Sequence, residues 1–252
     1  MVWLQLTGGE PTIDPLFPDV YRRAFEFGMM LTILTNGSRL ASPKILELLT
    51  ACPPHDITIS VYGATEASYD ALTRRRGSFK AFTRGLAAAC EAGLPVKLSL
   101  IITKTNAHET AQMQAMAERL GVPYDLYVNM SPTIYGGPET LPAQSLEHRR
   151  QRKVFTGCNA GHTFFHVDPH GNASICKIGR DPSVPLLETG TDGLRQLSAI
   201  ADSLLLRQGG CTGCTLQASC GTCMPLAQLY RKAKAPLAAY CQHTQPRKEA
   251  AP

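Results

Sequence analysis

Apolar and polar positions along the first half of the chain switch repeatedly between the periods of a strand and a helix. Val2-Trp3-Leu4-Gln5-Leu6 has the density of a buried strand and runs straight into Thr7-Gly8-Gly9-Glu10-Pro11. Phe17, Val20, Ala24 and Phe27 then recur at helical spacing, with Asp14 placed to cap, Pro15 at the first helical position and Gly28 as the stop. A second strand over 31–34 ends in Thr35-Asn36-Gly37. Ser42-Pro43 opens a helix carrying Ile45, Leu46 and Leu49, and 57–61 is a third strand that includes Ser60 and ends in Tyr62-Gly63. Ser78 precedes a helix with Phe79, Phe82, Leu86, Ala89 and Cys90 on one face, closed by Gly93, and 96–102 reads as a fourth strand. Asn106 and Glu109 have capping-box spacing ahead of Met113, Met116 and Leu120, and 124–130 supplies a fifth strand.

Strands and helices that alternate in this way, with apolar strands, predict the α/β class and a parallel sheet with helices outside. Without a dinucleotide fingerprint, a partial (β/α) barrel fits best. In such barrels the functional groups gather at the carboxyl ends of the strands. Those ends carry Thr7-Gly8-Gly9-Glu10, Thr35-Asn36, Ser60 and Thr103, a polar rim over an apolar body. Residues 131–155 read as a linker followed by a basic helix-like run, His148-Arg149-Arg150-Gln151-Arg152-Lys153. Beyond it, 164–167 and 173–177 predict a hairpin turned at Asp168-Pro169-His170-Gly171.

Net charge is +5 over 252 residues, and the basic runs lack interleaved aromatics, so they read as solvated faces and nucleic acid is not the expected partner. No apolar run approaches the roughly 20 residues that span a bilayer. Nine cysteines, an odd number, without an amino-terminal charged-then-apolar segment, predict a reducing compartment, the cytoplasm.

Seven of those cysteines fall in one module. Cys211, Cys214, Cys220 and Cys223 form two Cys-x2-Cys pairs five residues apart, Cys241 follows, and the hairpin folds Cys158 and Cys176 toward the same region. Thiolates are soft ligands. Zinc ribbons separate their two knuckles by about 15 to 20 residues, so the shorter gap favours iron–sulfur over zinc. Cys52 and Cys90 lie on or beside helices and read as ordinary core or surface thiols.

The order Cys158-x12-Gly171-x4-Cys176, then Cys211-x2-Cys214-x5-Cys220-x2-Cys223, then Cys241, resembles the SPASM extension of radical S-adenosylmethionine (SAM) enzymes. The family pattern usually places three residues, not two, before the cysteine equivalent to Cys223. Gly8-Gly9-Glu10-Pro11 after a strand resembles the motif that holds the amino group of SAM in the same enzymes. There glycines let the backbone approach closely while Glu10 and exposed carbonyls accept from an ammonium.

The resemblance implies a radical SAM barrel over 1–130, a SPASM domain with two auxiliary [4Fe–4S] clusters over 156–243, and a tail over 244–252. It further implies SAM contacts from Gly8, Gly9, Glu10, Pro11, Thr35, Asn36 and Ser60, with Lys97 a weaker candidate. Cys211, Cys214, Cys220 and Cys241 would ligate one cluster and Cys158, Cys176 and Cys223 the other. A peptide or protein substrate and a reductant such as flavodoxin or ferredoxin complete the expectation. The Cys-x3-Cys-x2-Cys loop that binds the SAM cluster in this family occurs nowhere in the sequence. The chain is therefore expected to lack the barrel's first strand unit and to be inactive alone. A non-catalytic iron–sulfur electron-transfer or binding partner, or a zinc-stabilised structural domain, are the alternatives.

Overall fold

The computed structural model describes residues 2–204, 214 and 220–241. The chain divides into two compact units: Met1–Asn129 with Ala143–Arg149, and Met130–Pro142 with Arg150–Pro252.

In the first unit five parallel strands stand in sequence order: β1 (Trp3–Leu6), β2 (Met30–Thr35), β3 (Asp56–Val61), β4 (Val96–Ile101) and β5 (Tyr124–Tyr127). The helices between them are α1 (Phe17–Glu26), α2 (Pro43–Ala51), α3 (Glu66–Thr73), α4 (Ser78–Glu91) and α5 (Thr110–Arg119). One sheet face, with Leu31, Ile33, Ile57, Ile59, Val61, Leu98 and Leu100, is buried in a single core with Tyr21, Leu49, Phe82 and Met113. Strict alternation in β3 and β4 leaves Thr58, Ser60, Lys97 and Ser99 half-buried on the opposite face. The helix side of the sheet is thus apolar, while the other side mixes these polar residues with Met30, Leu34 and Ile101.

Several expectations need correction. Helix α1 starts at Phe17 with Pro18 in its first turn, because Pro11–Ile13 form a 3-10 turn and the Asp14 carboxylate accepts from Leu16 N–H (2.8 Å). Its buried face is Phe17, Tyr21 and Ala24, and the Tyr21 hydroxyl donates to the Cys52 carbonyl (2.8 Å). Val20 and Phe27, read as core positions, are 48% and 63% exposed. Ile13 and Leu16 are exposed as well, and among the described residues β1 pairs with β2 alone.

Helix α3 was not foreseen. Tyr69, its one buried side chain, stacks on Phe82 (5.0 Å), and the Asp70 carboxylate accepts from Gly77 N–H (2.5 Å) and Phe79 N–H (2.9 Å), taking over the cap expected of Ser78. Asn106 and Glu109 form no capping box. Asn106, fully buried, accepts from Thr103 N–H (2.7 Å) and donates to the carbonyls of Tyr62 and Ile101 (2.8 Å each). Glu109, 4% exposed, accepts from Ala64 N–H (2.7 Å), Thr65 Oγ1 (2.7 Å) and Ser68 Oγ (2.5 Å). Burial alone would raise the Glu109 pKa, yet these hydrogen bonds outweigh it and hold the carboxyl below the usual glutamate range. The two residues tie the loops after β3 and β4 together.

In the second unit the hairpin forms as β6 (His166–Val167) and β7 (Asn172–Ser174), shorter than expected, and β8 (Val184–Pro185) adds antiparallel to β7. The Asp168 carboxylate closes the turn by accepting from His170 N–H (2.8 Å) and Asn172 N–H (3.0 Å), and Gly171 supplies the positive φ of +80°. Behind the hairpin lie α6 (Leu186–Thr189), α7 (Gln196–Ser203) and α8 (Met224–Lys232), around Ala173, Ile175, Leu197, Ala201 and Met224. No helix forms over 148–153. The three basic side chains at 149, 150 and 152 give that run little apolar face to bury.

Candidate functional site

The rim is built where β1 and β2 end. Gly8 has φ of +156°, and a Cβ on Gly8 or Gly9 would meet nothing within 4 Å, so this turn faces open space with its backbone uncovered. Glu10 turns the other way. Its carboxylate accepts from Thr12 N–H (3.1 Å), Thr12 Oγ1 (2.5 Å), Thr35 Oγ1 (2.7 Å) and Asn36 N–H (2.7 Å). Four donors fill what two carboxylate oxygens can accept, so Glu10 serves as a clamp between the two strand ends. Thr35, 4% exposed, also accepts from Gly37 N–H (3.0 Å), and with its proton on Glu10 it has none left to donate. Asn36 Oδ1 accepts from Ser38 N–H (2.9 Å), and its side-chain N–H groups make no hydrogen bond among the described residues.

What the rim can still offer a ligand is therefore the carbonyls of the Gly8-Gly9 turn, the Asn36 amide and the polar sheet face. Ser60 stands in register with Ser99 on that face, and its hydroxyl has no hydrogen-bond partner among the described residues. Lys97 forms an ion pair with Asp125 across β4 and β5. Pro11 begins the 3-10 turn that brings Thr12 onto Glu10. Ser99 went unnoticed in the sequence; its alternation with Leu98 and Leu100 was the available signal.

The cysteine module shows its chemistry in the thiols' surroundings. Cys158, Cys176 and Cys223 all pack against the core of the second unit, close enough for the charges of the first two to raise the Cys223 pKa further than burial does alone. Backbone N–H groups point at the sulfurs: Ala160 at Cys158 (3.4 Å), Gly179 at Cys176 (3.1 Å), and Leu226 at Cys223. Amides aimed at sulfur stabilise thiolates and are one of the ways a protein tunes an iron–sulfur cluster. Among the described residues no three of His, Cys, Asp and Glu close on a point as a single-ion cage would.

Cys220, 7% exposed, accepts from Thr222 N–H (3.3 Å), and the Thr222 hydroxyl donates to the carbonyl of Tyr240 (2.9 Å), next to Cys241. Tyr240 stacks on Tyr230 (5.2 Å), whose hydroxyl donates to Met130 O (2.9 Å) and meets Arg152 Nη2 (2.7 Å). Cys214 is half-buried, and Cys211 lies outside the described residues. His162 meets Asp202 (3.0 Å) instead of joining the thiols. Cys52 and Cys90 pack against the first unit's core, and burial pushes the Cys90 thiol up.

Residues 4–117 match the Radical SAM superfamily. The mycofactocin maturase MftC of Mycobacterium tuberculosis is 27% identical over 260 residues, covering 88% of this chain, which spans 66% of that protein's length. The PqqA peptide cyclase of Methylorubrum populi is 28% identical over 118 residues, with 47% of this chain and 30% of that one covered. Among solved structures, Streptococcus suis SuiB bound to S-adenosylmethionine superposes with a TM-score of 0.57 at 15% identity, over 88% of this chain and 61% of that one. The anSMEcpe protein with bound AdoMet gives 0.57 at 11% identity, over 92% and 77%. That family works with SAM and a [4Fe–4S] cluster, and the partial barrel fold is shared with these structures. The match to the Radical SAM superfamily spans residues 4–117, a little less than half of the chain.

Proposed function

We propose that this chain is the SAM-binding and auxiliary-cluster part of a peptide or protein maturase. The observation that carries the reading is the convergence of Cys158, Cys176 and Cys223, each with a backbone amide on its sulfur, downstream of the radical SAM domain. Relatives named a maturase and a peptide cyclase support it. SAM, when bound, would supply the hydrogen-abstracting chemistry of a 5′-deoxyadenosyl group released by reductive cleavage.

This chain's own residues have four tasks. The Gly8-Gly9 carbonyls accept from the SAM ammonium, the Glu10 clamp fixes that turn against Asn36, and Ser60 with Ser99 lines the polar face beneath. Cys158, Cys176 and Cys223 would hold one auxiliary [4Fe–4S] cluster, and Cys211, Cys214, Cys220 and Cys241 would hold a second. The electron would come from a flavodoxin- or ferredoxin-type reductant.

A second reading is favoured by the missing Cys-x3-Cys-x2-Cys spacing in these 252 residues: an iron–sulfur module that works with a partner supplying that loop. One experiment separates the readings. The anaerobically reconstituted chain is expected to take up iron and sulfide, and to release no 5′-deoxyadenosine from SAM under reduction. Release above the no-protein control would assign SAM cleavage to this chain itself, whereas stoichiometric zinc without sulfide would overturn both. Cys223→Ala is expected to abolish one cluster's signal and Cys241→Ala the other's. Loss of the same cluster in both variants would refute the division of ligands.

A further inference from the structure

In the basic run at 149–153, Arg149, Arg150 and Lys153 are exposed as a solvated run should be, but Arg152 is half-buried against α8 and the cysteine loop. Its Nη2 donates to the Tyr230 hydroxyl (2.7 Å), which in turn donates to Met130 O (2.9 Å), and its guanidinium carbon lies 5.4 Å from the centre of the Tyr230 ring. Its Nη1 meets Thr222 Oγ1 at 3.5 Å. Thr222, 1% exposed, carries the contact on to two thiols: its N–H points at the Cys220 sulfur (3.3 Å), and its hydroxyl donates to the carbonyl of Tyr240, the residue before Cys241 (2.9 Å). Three residues after Arg152, Phe155 N–H donates to the Cys220 carbonyl (2.8 Å), so the segment is fastened alongside Cys220 at both ends.

Tyr230 and Thr222 are neutral. They hold the guanidinium in one place without cancelling its charge. Cys220 is 7% exposed, and a thiolate withdrawn that far from water is stabilised by donors and by a nearby cation. Arginine suits the task, since it stays protonated at every working pH and its planar fork is fixed by two partners at once. A metal held by several thiolates bears net negative charge, and reduction of a cluster adds to it. A fixed cation therefore favours the metal-bound state over the free one and the reduced state over the oxidised one.

We propose that Arg152 is the counter-charge of the thiolate site at Cys220 and Cys241, strengthening its hold on a soft metal and raising the reduction potential of a cluster bound there. Arg152 works through Thr222 and through its field, as a positioning residue rather than a ligand. The proposal rests on the auxiliary-cluster reading and deepens it by assigning what sets that site's charge.

Two measurements on the full chain test it. Cadmium affinity is read from thiolate-to-metal absorbance against a competing chelator, in the metal-free protein carrying Cys223→Ala so that the other thiolate set reports. Cluster potentials are read by redox titration followed by electron paramagnetic resonance in the reconstituted protein with all its cysteines. Arg152→Gln is expected to weaken cadmium binding about tenfold, the size of one charge-assisted contact, and to make one cluster about tenfold harder to reduce, about 59 mV lower for one electron, with the other unmoved. Arg152→Lys should retain most of both. Tyr230→Phe loosens the same packing and keeps the charge, so it should lower the melting temperature without either loss. Arg152→Met preserves the stem and repeats the comparison if Arg152→Gln does not fold. Cadmium affinity and potentials at the wild-type level in the neutral variants would overturn the proposal, as would equal losses in Tyr230→Phe or in Arg152→Lys. A wild-type chain that takes up no iron or sulfide would instead fail the auxiliary-cluster reading, and the cadmium comparison would still judge Arg152.

Discussion

Replacing Glu109 by Gln keeps the side chain's shape and turns an amide donor toward the donors of Ala64, Thr65 and Ser68. At 4% exposure water cannot compensate, so Glu109→Gln is expected to cost about 2 to 3 kcal/mol in urea unfolding. The pH dependence follows from the lowered pKa: the stabilisation is full above the ordinary glutamate value and lost as pH falls through the folded one. Wild type should therefore lose stability in that acid window faster than Glu109→Gln, and equal slopes would count against the role. Tyr230→Phe removes the hydroxyl that donates to Met130 O and meets Arg152, and is expected to cost about 1 to 3 kcal/mol by leaving buried groups unpaired. The sequence marked Asn106 and Glu109 as a pair at a helix start but not their partners. A capping box needs only neighbours in the chain, whereas Glu109 bonds residues 41 to 45 positions away. Glu10 and Thr35 were legible as site residues because a Gly-Gly turn after a strand has a local signature. Their bonds to each other were not, since nothing in either segment states that β1 and β2 are neighbours.

Helix α4 is fitted to the turn after β2 by the absence of one atom. A Cβ on Gly85 would fall 1.9 Å from the carbonyl oxygen of Gly37, which is itself held at φ of +78°. Gly85→Ala must therefore push the helix off the turn that carries Asn36, and thermal unfolding should show a loss of about 1 to 3 kcal/mol despite alanine's better helix propensity. A gain in stability would show that the contact yields. Helices and strands with several periodic apolar residues were readable along the chain. Helix α3 was not, because its single buried side chain, Tyr69, offers no period to detect. In α1 the spacing was read one position early. Val20 and Tyr21 are both apolar enough for the core, and the hydroxyl partner at Cys52 that favours Tyr21 is a tertiary fact.

Across the whole chain, the order of strands and the grouping of cysteines followed from spacing, while the contact of the Arg180 guanidinium with the Tyr135 ring did not, since the two come from distant segments. The edge of the five-stranded sheet has a further consequence. Among the described residues β1 pairs with β2 alone, and in β1 and in the turn and helix that follow it Trp3, Ile13, Leu16 and Val20 are 54%, 64%, 64% and 48% exposed. Open edges next to apolar surface are templates for another chain. Leu16→Lys with Val20→Lys is expected to raise the monomer fraction in light scattering at high protein concentration, with the circular dichroism spectrum unchanged. The attraction is hydrophobic and weakens on cooling. The protein should therefore be more dispersed near freezing than at room temperature and turbid on warming well below its melting point, so the purification temperature decides how much of it stays in solution.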